Sequence, residues 1–505
     1  MNHSYINNYT MPDFINKVAK YGGYGFTPDQ EEALDLLDVW YRNPKDLLFT
    51  LSGRAGTGKT YLLKCFIDDI VKHPICVSAP THKAVRQVER STGRKGKTLQ
   101  SLHGLKPNVN LEDFDLNNVK FDQLGNPTMN NYKIVVIDEC SMVNIGLHDL
   151  NIRRARDLGV KLLYVGDPKQ LPPVSKNNES DANISPTFNV KNHYELTEII
   201  RQASDNPLTE LLELVVKDVD NETNNFISYL LKNPIQVNSN GEGYKVYNSM
   251  QDFVTSAIDC FKSDEFSKDP DYGRIAAWKN DTVMGYNTVV RNAVSAHFNG
   301  GVPTTELIDL NDLLIGYKTI TDEFNETVII NSEDYVVNRV IPRMSEGGFK
   351  SYAVTIMPRH GGRTVDVDVV DYRDKSFLVY YELLKRKYFN AKYSTYSNRS
   401  AKWKEYYKYK DNHLTLFTFP IKEGDTAKAY VTKDLDYAFS LTVHKLQGST
   451  IQNTFVDLND MLYYSTGRLV ENSSWHPGAT TIRNKLIYTA ISRTSKFCNI
   501  YLNLK

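Results

Sequence analysis

The sequence predicts an α/β chain of two parallel-sheet units, with a small hairpin inserted in the first and a small β-barrel plus a helical segment inserted in the second. Three observations carry this expectation. The stretch Gly53-Arg54-Ala55-Gly56-Thr57-Gly58-Lys59-Thr60 matches G-x-x-x-x-G-K-[ST] without a mismatch, and it lies between an apolar run (Leu47 to Leu51) and a helical pattern (Tyr61 to Ile67). Further short, continuous apolar runs at 75–79, 134–137 and 161–165 read as buried parallel strands. From 311 to 382, and again from 414 to 432, the pattern changes to short alternating strands between Gly and Pro turns.

Composition bounds the class. A chain of 505 residues with 41% apolar content is globular, with room for roughly three to four ordinary domains. Lys+Arg and Asp+Glu are equal at 60 each, so the total charge does not announce nucleic acid and any basic surface must be local. The cysteines, at 65, 76, 140, 260 and 498, are scattered, odd in number and without a Cys-x-x-Cys pair. That disfavours a zinc site or a disulfide framework and fits a reducing cytoplasm. There is no signal-peptide pattern, and no apolar run approaches the length of a membrane span, so the expected location is cytoplasmic.

In chain order, residues 1–25 are a polar extension with no assigned role. Phe26-Thr27-Pro28-Asp29-Gln30 then opens a helix over 31–41, with Thr27 as N-cap, Pro28 as first helical residue and Gln30 closing a capping box. In the glycine-rich loop, backbone N–H groups cradle phosphates, Lys59 is placed for the β- and γ-phosphates and the Thr60 hydroxyl for Mg²⁺. The strand at 75–79 runs into Pro80-Thr81-His82, and Thr98-Leu99-Gln100-Ser101-Leu102-His103-Gly104 is a shorter element of similar character. Between Lys106 and Tyr132 the pattern breaks, with Asn at 108, 110, 117, 118 and 126 and aromatics at Phe114 and Phe121. That stretch is too long for an ordinary α/β connection and reads as a projecting β-hairpin or as a disordered loop. Ile134-Val135-Val136-Ile137-Asp138-Glu139 is a Walker B arrangement: Asp138 for the Mg²⁺ shell, Glu139 to orient or deprotonate the attacking water. The strand at 161–165 leads into Gly166-Asp167-Pro168-Lys169-Gln170, from which Gln170 reaches the γ-phosphate or the water. A helix-like segment over 195–201 ends in Arg201.

The second unit is expected to start near 275, with a strand over 274–278 and a helix through about His297. It resumes after the alternating strands with Phe439 to Thr450, and closes with a helix over 485–494 ending in an exposed Arg493. Residues 385–410 stand apart, with nine Lys or Arg against one acid and eight aromatics. Such a mixture suits single-strand binding, with rings stacking on bases, or a solvated helical hairpin whose rings pack on neighbours.

Taken together, these segments resemble the superfamily 1 helicases, and within them the RecD-like branch (superfamily 1B) and its Dda-like members. Phe26–Gln30 resembles the adenine-reading Q motif, and Gly53–Thr60, Ala79–Val85 and Thr98–Gly104 resemble motifs I, Ia and Ib. Asp138–Met142, Gly166–Val174 and Leu196–Gln202 resemble motifs II, III and IV, and Thr442–Thr450 and Tyr488–Arg493 resemble motifs V and VI. Gln447-Gly448 in the fifth motif is similar to this branch, where the UvrD-like branch usually has Lys-Gly-Leu-Glu. The resemblance implies two RecA-like domains, 26–205 (with a duplex-splitting pin at about 106–132) and 206–310 plus 433–505, and an SH3-like domain over 311–432 whose helical segment at about 383–412 braces the pin. It implies ATP and Mg²⁺, with the two domains closing on ATP. Lys59, Glu139, Gln170, Arg201 and Arg493 would be catalytic, and Gln30, Gly53, Gly56, Thr57, Gly58, Lys59, Thr60 and Gly448 would hold the nucleotide. Thr60 and Asp138 would hold the metal, and Pro80, Thr81, His82, His103, Phe121, Thr442 and His444 would touch DNA. The implied activity is an ATP-hydrolysing helicase moving 5′→3′ on single-stranded DNA and opening forks in phage-type replication or recombination. The implied protein is a monomer, off the membrane and in the host cytoplasm if the gene is a phage's, with a single-strand-binding protein as candidate companion. An RNA helicase and a non-translocating ATP-dependent binding protein remain as alternatives, because sequence does not reveal contacts to the 2′-OH.

Overall fold

The computed structural model describes residues 25–105, 125–173, 184–199, 205–322, 326–462 and 477–504. The 1–25 extension except for Gly25, Phe114, Phe121, Val174 and Arg201 lie outside the described residues, as does most of the pin stretch. The chain divides into two compact units, with the main division between Ser204 and Asp205.

The first unit opens with helix α1 (Pro28–Arg42). Thr27 and Gln30 form the expected capping box, and Ala33, Leu34, Leu37 and Trp40 give the helix one buried face. Six strands follow: β1 (Leu48–Gly53), β2 (Ile75–Ala79), β3 (Gly96–Thr98), β4 (Ile134–Ile137), β5 (Lys161–Gly166) and β6 (His193–Leu196). They form one sheet in the order β3-β2-β4-β5-β1-β6, and every pairing is parallel. The strands read as uninterrupted apolar runs because both faces are covered. Leu51, Val77, Val136 and Leu163 pack with α1 on one side, while Val135, Ile137, Leu162 and Tyr164 pack with helix 145–158 on the other. The segment expected to be helical over 195–201 is instead strand β6 at its start: Gly53 lies opposite Leu196, and parallel pairing to β1 outweighs the helix former Glu195.

The second unit contains another sheet of six strands: β7 (Ile235–Val237), β8 (Gly243–Tyr247), β9 (Gly273–Ala277), β10 (Ser440–Thr442), β11 (Ile451–Asp457) and β12 (Thr494–Tyr501). Their order is β10-β9-β11-β12-β8-β7, all parallel except β7, which closes one edge antiparallel. The unit thus begins well before residue 275: β8 is its second strand in sequence and pairs with the last, β12.

Between β9 and β10 lies the insert. Its main sheet is antiparallel, in the order 365–370, 350–358, 334–344, 313–316, 435–437. Arg274 of β9 is fully buried and pairs with Asp334 at the start of an insert strand, so a buried ion pair joins the parallel sheet to the insert. Burial alone would push the Asp334 carboxyl up, but Arg274 beside it holds it well below the usual carboxylate range. Helices 377–392 and 396–411 form a hairpin on the insert, and their inner residues share a core with Phe419, Ile421 and Val431. No helix among the described residues is long and apolar enough to cross a membrane.

Candidate nucleotide site and nucleic-acid loops

The carboxyl ends of β1, β5 and β4 are neighbours in the first sheet, and each carries one of the three sequence signals for nucleotide chemistry. Gly53–Thr60 leaves β1, Gly166–Gln170 leaves β5, and Asp138-Glu139 leaves β4. Ligands of open parallel sheets collect at this edge, beyond the strand ends.

The loop after β1 is shaped by its glycines. Gly56 and Gly58 have φ of 90° and 80°, in the region that favours glycine. A Cβ on Gly53 would lie 2.7 Å from Thr57 Oγ1 and 2.9 Å from the Leu196 carbonyl oxygen. Thr57 is fully buried and its hydroxyl donates to the Arg54 carbonyl at 3.0 Å, so its side chain supports the loop from within, and a nucleotide would meet only its backbone. Lys59 Nζ donates to the carbonyls of Gly53 and Arg54 at 2.6 and 2.9 Å. A phosphate would take the ammonium from these acceptors. Thr60 sits in the first turn of helix Lys59–Cys65, whose N-terminal amides add to the anion-binding field.

Gln30 closes the cap and also reaches the phosphate loop. Its amide oxygen accepts from Thr27 N within the capping box, and its Nε2 donates to the Thr57 carbonyl at 3.3 Å. Helix α1 is thereby hydrogen-bonded to the phosphate loop through a side chain that is 2% exposed. Asp29, to which sequence reasoning gave no role, accepts from the backbone amides of Thr197 and Glu198 at 2.7 and 3.1 Å. It fixes the chain leaving β6 against α1. Acidity in a helix first turn was the available signal, but the partner lies 168 residues away.

At the end of β4 the Asp138 carboxylate accepts from Glu139 N at 2.9 Å, and Glu139 has φ 51° and ψ 41°. A non-glycine residue held left-handed is backbone strain, and here it falls on the acid expected to handle water. Gln170 is buried and its backbone N–H donates to the Asp167 carbonyl at 3.3 Å. The donor set fits Mg²⁺. The Thr60 hydroxyl and the Asp138 carboxylate are hard oxygen ligands, and Mg²⁺ is ordinarily held by one or two protein oxygens together with substrate phosphates. No His/Cys/Asp/Glu cluster among the described residues forms a self-sufficient metal cage.

The loops expected to face DNA divide. Pro80 is buried while Thr81 and His82 are half-buried, where β2 ends and helix His82–Thr92 begins. Thr442 caps the short helix Val443–Leu446, its hydroxyl accepting from Lys445 N. His444 in that helix is half-buried, and burial pushes its imidazole pKa down, which favours the neutral ring. Lys445, which sequence reasoning passed over, donates to Asn331 Oδ1 at 2.8 Å and lies over the Tyr317 ring, tying this helix to the insert.

His103 is a correction. It has no exposed surface; its Nε2 donates to Asn151 Oδ1 at 2.6 Å, and Arg154 Nη1 donates to its Nδ1 at 3.1 Å and to its carbonyl oxygen at 2.6 Å. Burial, then the neighbouring guanidinium, push its pKa down to about 3. It is a neutral structural residue joining helix Leu99–His103 to helix 145–158, out of reach of DNA. Arg493 is a second correction: it is 7% exposed, not exposed, because its guanidinium turns back and donates to the Ser449 carbonyl at 3.5 Å. Ser449 follows Gly448, whose φ of 74° makes the turn at the end of the fifth motif.

A family model described as AAA domain matches residues 27–229. The chain is 25% identical to the ATP-dependent DNA helicase dda of Enterobacteria phage T4, over 81% of this chain and 87% of that protein. It is 31% identical to the ATP-dependent RecD2 DNA helicase of Deinococcus radiodurans, over 38% of this chain and 24% of that protein. Among solved structures it is similar to the Pif1 helicase from Candida albicans, with a TM-score of 0.48 and 15% identity, covering 95% of each chain. With the motifs in order along the chain and the phosphate loop, Walker B acids and third motif on neighbouring strand ends, the chain is similar to the P-loop DNA helicases of the RecD-like branch, superfamily 1B.

Proposed function

We propose that this chain is an ATP-driven DNA helicase that moves 5′→3′ along one strand and separates duplex ahead of it. The observation that carries the ATPase reading is the convergence of Gly53–Thr60, Asp138-Glu139 and Gly166–Gln170 at the carboxyl ends of β1, β4 and β5. Lys59 leaves the Gly53 and Arg54 carbonyls and moves onto the β- and γ-phosphates. Glu139 accepts a proton from the attacking water, and Gln170 orients that water. Mg²⁺ held by Thr60 and Asp138 would neutralise charge on the phosphates. Arg493, released from Ser449, and Arg201 supply further positive charge to the transferring phosphoryl group. Thr81, His82, Thr442 and His444 are assigned to the single strand, with His444 engaging it as a neutral hydrogen-bonding or stacking group. Duplex separation is assigned, on resemblance, to the 106–132 insertion with Phe121 at the fork.

The test is the ATPase rate alone, with single-stranded DNA and with RNA of the same length. Stimulation by DNA alone supports the DNA motor, and a fork assay with a 5′ or 3′ tail then reads direction. Stimulation by RNA would move the reading to an RNA helicase; stimulation by neither would leave a non-translocating ATP-dependent binding protein.

A further inference from the structure

The first unit has a cavity at the edge of its sheet that lies away from the phosphate loop. Its volume is about 410 Å³, within the range of ordinary ligand pockets. Three segments wall it. His148, Ile152, Ala155 and Arg156 recur at i, i+4, i+7 and i+8 along helix 145–158 and so share one face. Residues 45–48 lead into β1 and residues 189–192 lead into β6, at the amino ends of two neighbouring strands. The phosphate loop leaves the other end of β1, about 17 Å along the strand.

Hydrogen bonds fix these walls. Lys161 Nζ donates to the carbonyls of Trp40, Asn43 and Asp46 at 2.9, 2.7 and 2.7 Å, which gathers the turn before β1. Asn192 Nδ2 donates to the Leu48 carbonyl at 3.1 Å, and Thr50 N donates to the Asn192 carbonyl at 2.9 Å, so the two entering segments are joined. His148 is buried with its Nδ1 against the Tyr164 hydroxyl at 3.2 Å, and burial pushes its pKa down and favours the neutral ring.

The lining combines two chemistries. Leu47, Leu48, Ile152 and Val190 are only half-buried, so apolar surface is left open to water. Lys45, Arg156 and Lys191 are exposed beside it, and none of the three forms an ion pair among the described residues. The one acid in the lining, Asp46, accepts from Asn43 Nδ2 at 2.7 Å.

We propose that this cavity docks an acidic peptide segment of a partner protein, with one apolar side chain against the half-buried lining and carboxylates on Lys45, Arg156 and Lys191. Charge complementarity selects the acid. The apolar lining calls for an anchor that a phosphate backbone does not carry. The site stands apart from the helicase reading: it leaves the phosphate loop open, so the segment stays bound while ATP is turned over.

The experiment titrates fluorescein-labelled peptides, each with a central Leu or Phe flanked by Asp and Glu, with the full chain and reads anisotropy. Control peptides replace the acids by Asn and Gln, or the central residue by Ser. The variants are Lys45→Ala, Arg156→Ala and Lys191→Ala combined, and Ile152→Ser; circular dichroism and unchanged ATP hydrolysis check their fold. The acidic peptides should bind, and the triple variant should weaken binding roughly tenfold or more, the sum of three exposed ion pairs. Ile152→Ser, or Ser at the peptide centre, should weaken it by roughly tenfold as well. A non-hydrolysable ATP analogue and single-stranded DNA should leave it unchanged. Failure of all the acidic peptides to bind would overturn the proposal, as would equal binding to the triple variant. Full binding of the Ser peptide would also overturn it, because charge alone would then hold the peptide at the surface. Competition by single-stranded DNA would assign the cavity to nucleic acid instead.

Discussion

His103 offers a sharp test, because its burial makes a quantitative claim about acid. In the folded chain the imidazole is neutral, its Nε2 hydrogen serving Asn151 and its Nδ1 lone pair serving Arg154. Burial and the Arg154 guanidinium lower its pKa to about 3, whereas the unfolded chain titrates near the ordinary value of 6.5. The sign follows from linkage. Below 6.5 the unfolded state binds a proton that the folded state refuses, so stability present above 6.5 is lost as pH falls toward the folded value. At pH 5 the difference is about 1.5 pH units, or about 2 kcal/mol, and any native value below about 4 gives the same figure. His103→Gln keeps a side-chain donor for Asn151 and removes the titration. Hydrogen exchange in peptides covering 99–103 and 134–137, wild type against variant at each pH, cancels the intrinsic pH dependence of exchange. The wild type should lose about 2 kcal/mol of local stability relative to the variant between pH 7 and pH 5. Single-stranded DNA affinity at pH 7 should be the same for both. Parallel pH dependence in the two proteins would refute the burial argument, and a selective loss of DNA affinity in the folded variant would restore His103 to the DNA surface.

Lys59→Ala should leave the fold intact, since its Nζ bonds only loop carbonyls, and should lower ATP hydrolysis at least about 100-fold, as loss of a charge-stabilising group does; unchanged turnover would remove the phosphate-loop assignment. Gln30→Ala breaks the capping box and leaves the Thr57 carbonyl without its amide donor, a cost of about 2 kcal/mol, seen as a lower melting temperature together with a raised KM for ATP. A change in KM without loss of stability would mean that Gln30 acts on the nucleotide alone. Arg493→Ala should keep nucleotide binding, measured with a fluorescent analogue, while hydrolysis falls about 1000-fold or more; equal loss of both would assign Arg493 to binding, or to holding the Ser449 turn. Glu139→Asn should abolish hydrolysis yet hold or raise stability by up to about 1 kcal/mol in a melting experiment, because asparagine tolerates the left-handed backbone at this position better than glutamate. A destabilised variant would show that the Glu139 side chain also supports the fold.

The features legible in the sequence are those set by neighbouring residues. The phosphate loop, its flanking strand and helix, the Walker B pair and the capping box at Thr27 and Gln30 are each contained within a few residues, so spacing alone announces them. Gln30 also marks the limit: its cap is local, but its bond to the Thr57 carbonyl closes a loop of 27 residues. The misreadings all depend on longer closures. His103 is neutral because Asn151 and Arg154, 48 and 51 positions away, enclose it. Arg493 is buried because a turn 44 residues earlier presents the Ser449 carbonyl. Leu196 is extended because Gly53 lies opposite it, and strand Gly243–Tyr247 has a place in the second sheet only because 494–501 comes back beside it.

The hairpin at 377–411 shows how composition and packing answer different questions. Composition finds rings and cations together and leaves stacking on bases and packing on neighbours both open. Residue spacing within the helix then separates the groups. Trp403, Tyr406 and Lys410 recur on one stripe, so the rings and one cation are drawn into the core with Tyr388 and Asp434. The intervening Lys404 and Lys408 are left outside by the same period. The same period leaves Tyr396 and Tyr407 exposed beside Lys404 and Lys408, so packing withdraws only part of the ring surface that composition counts.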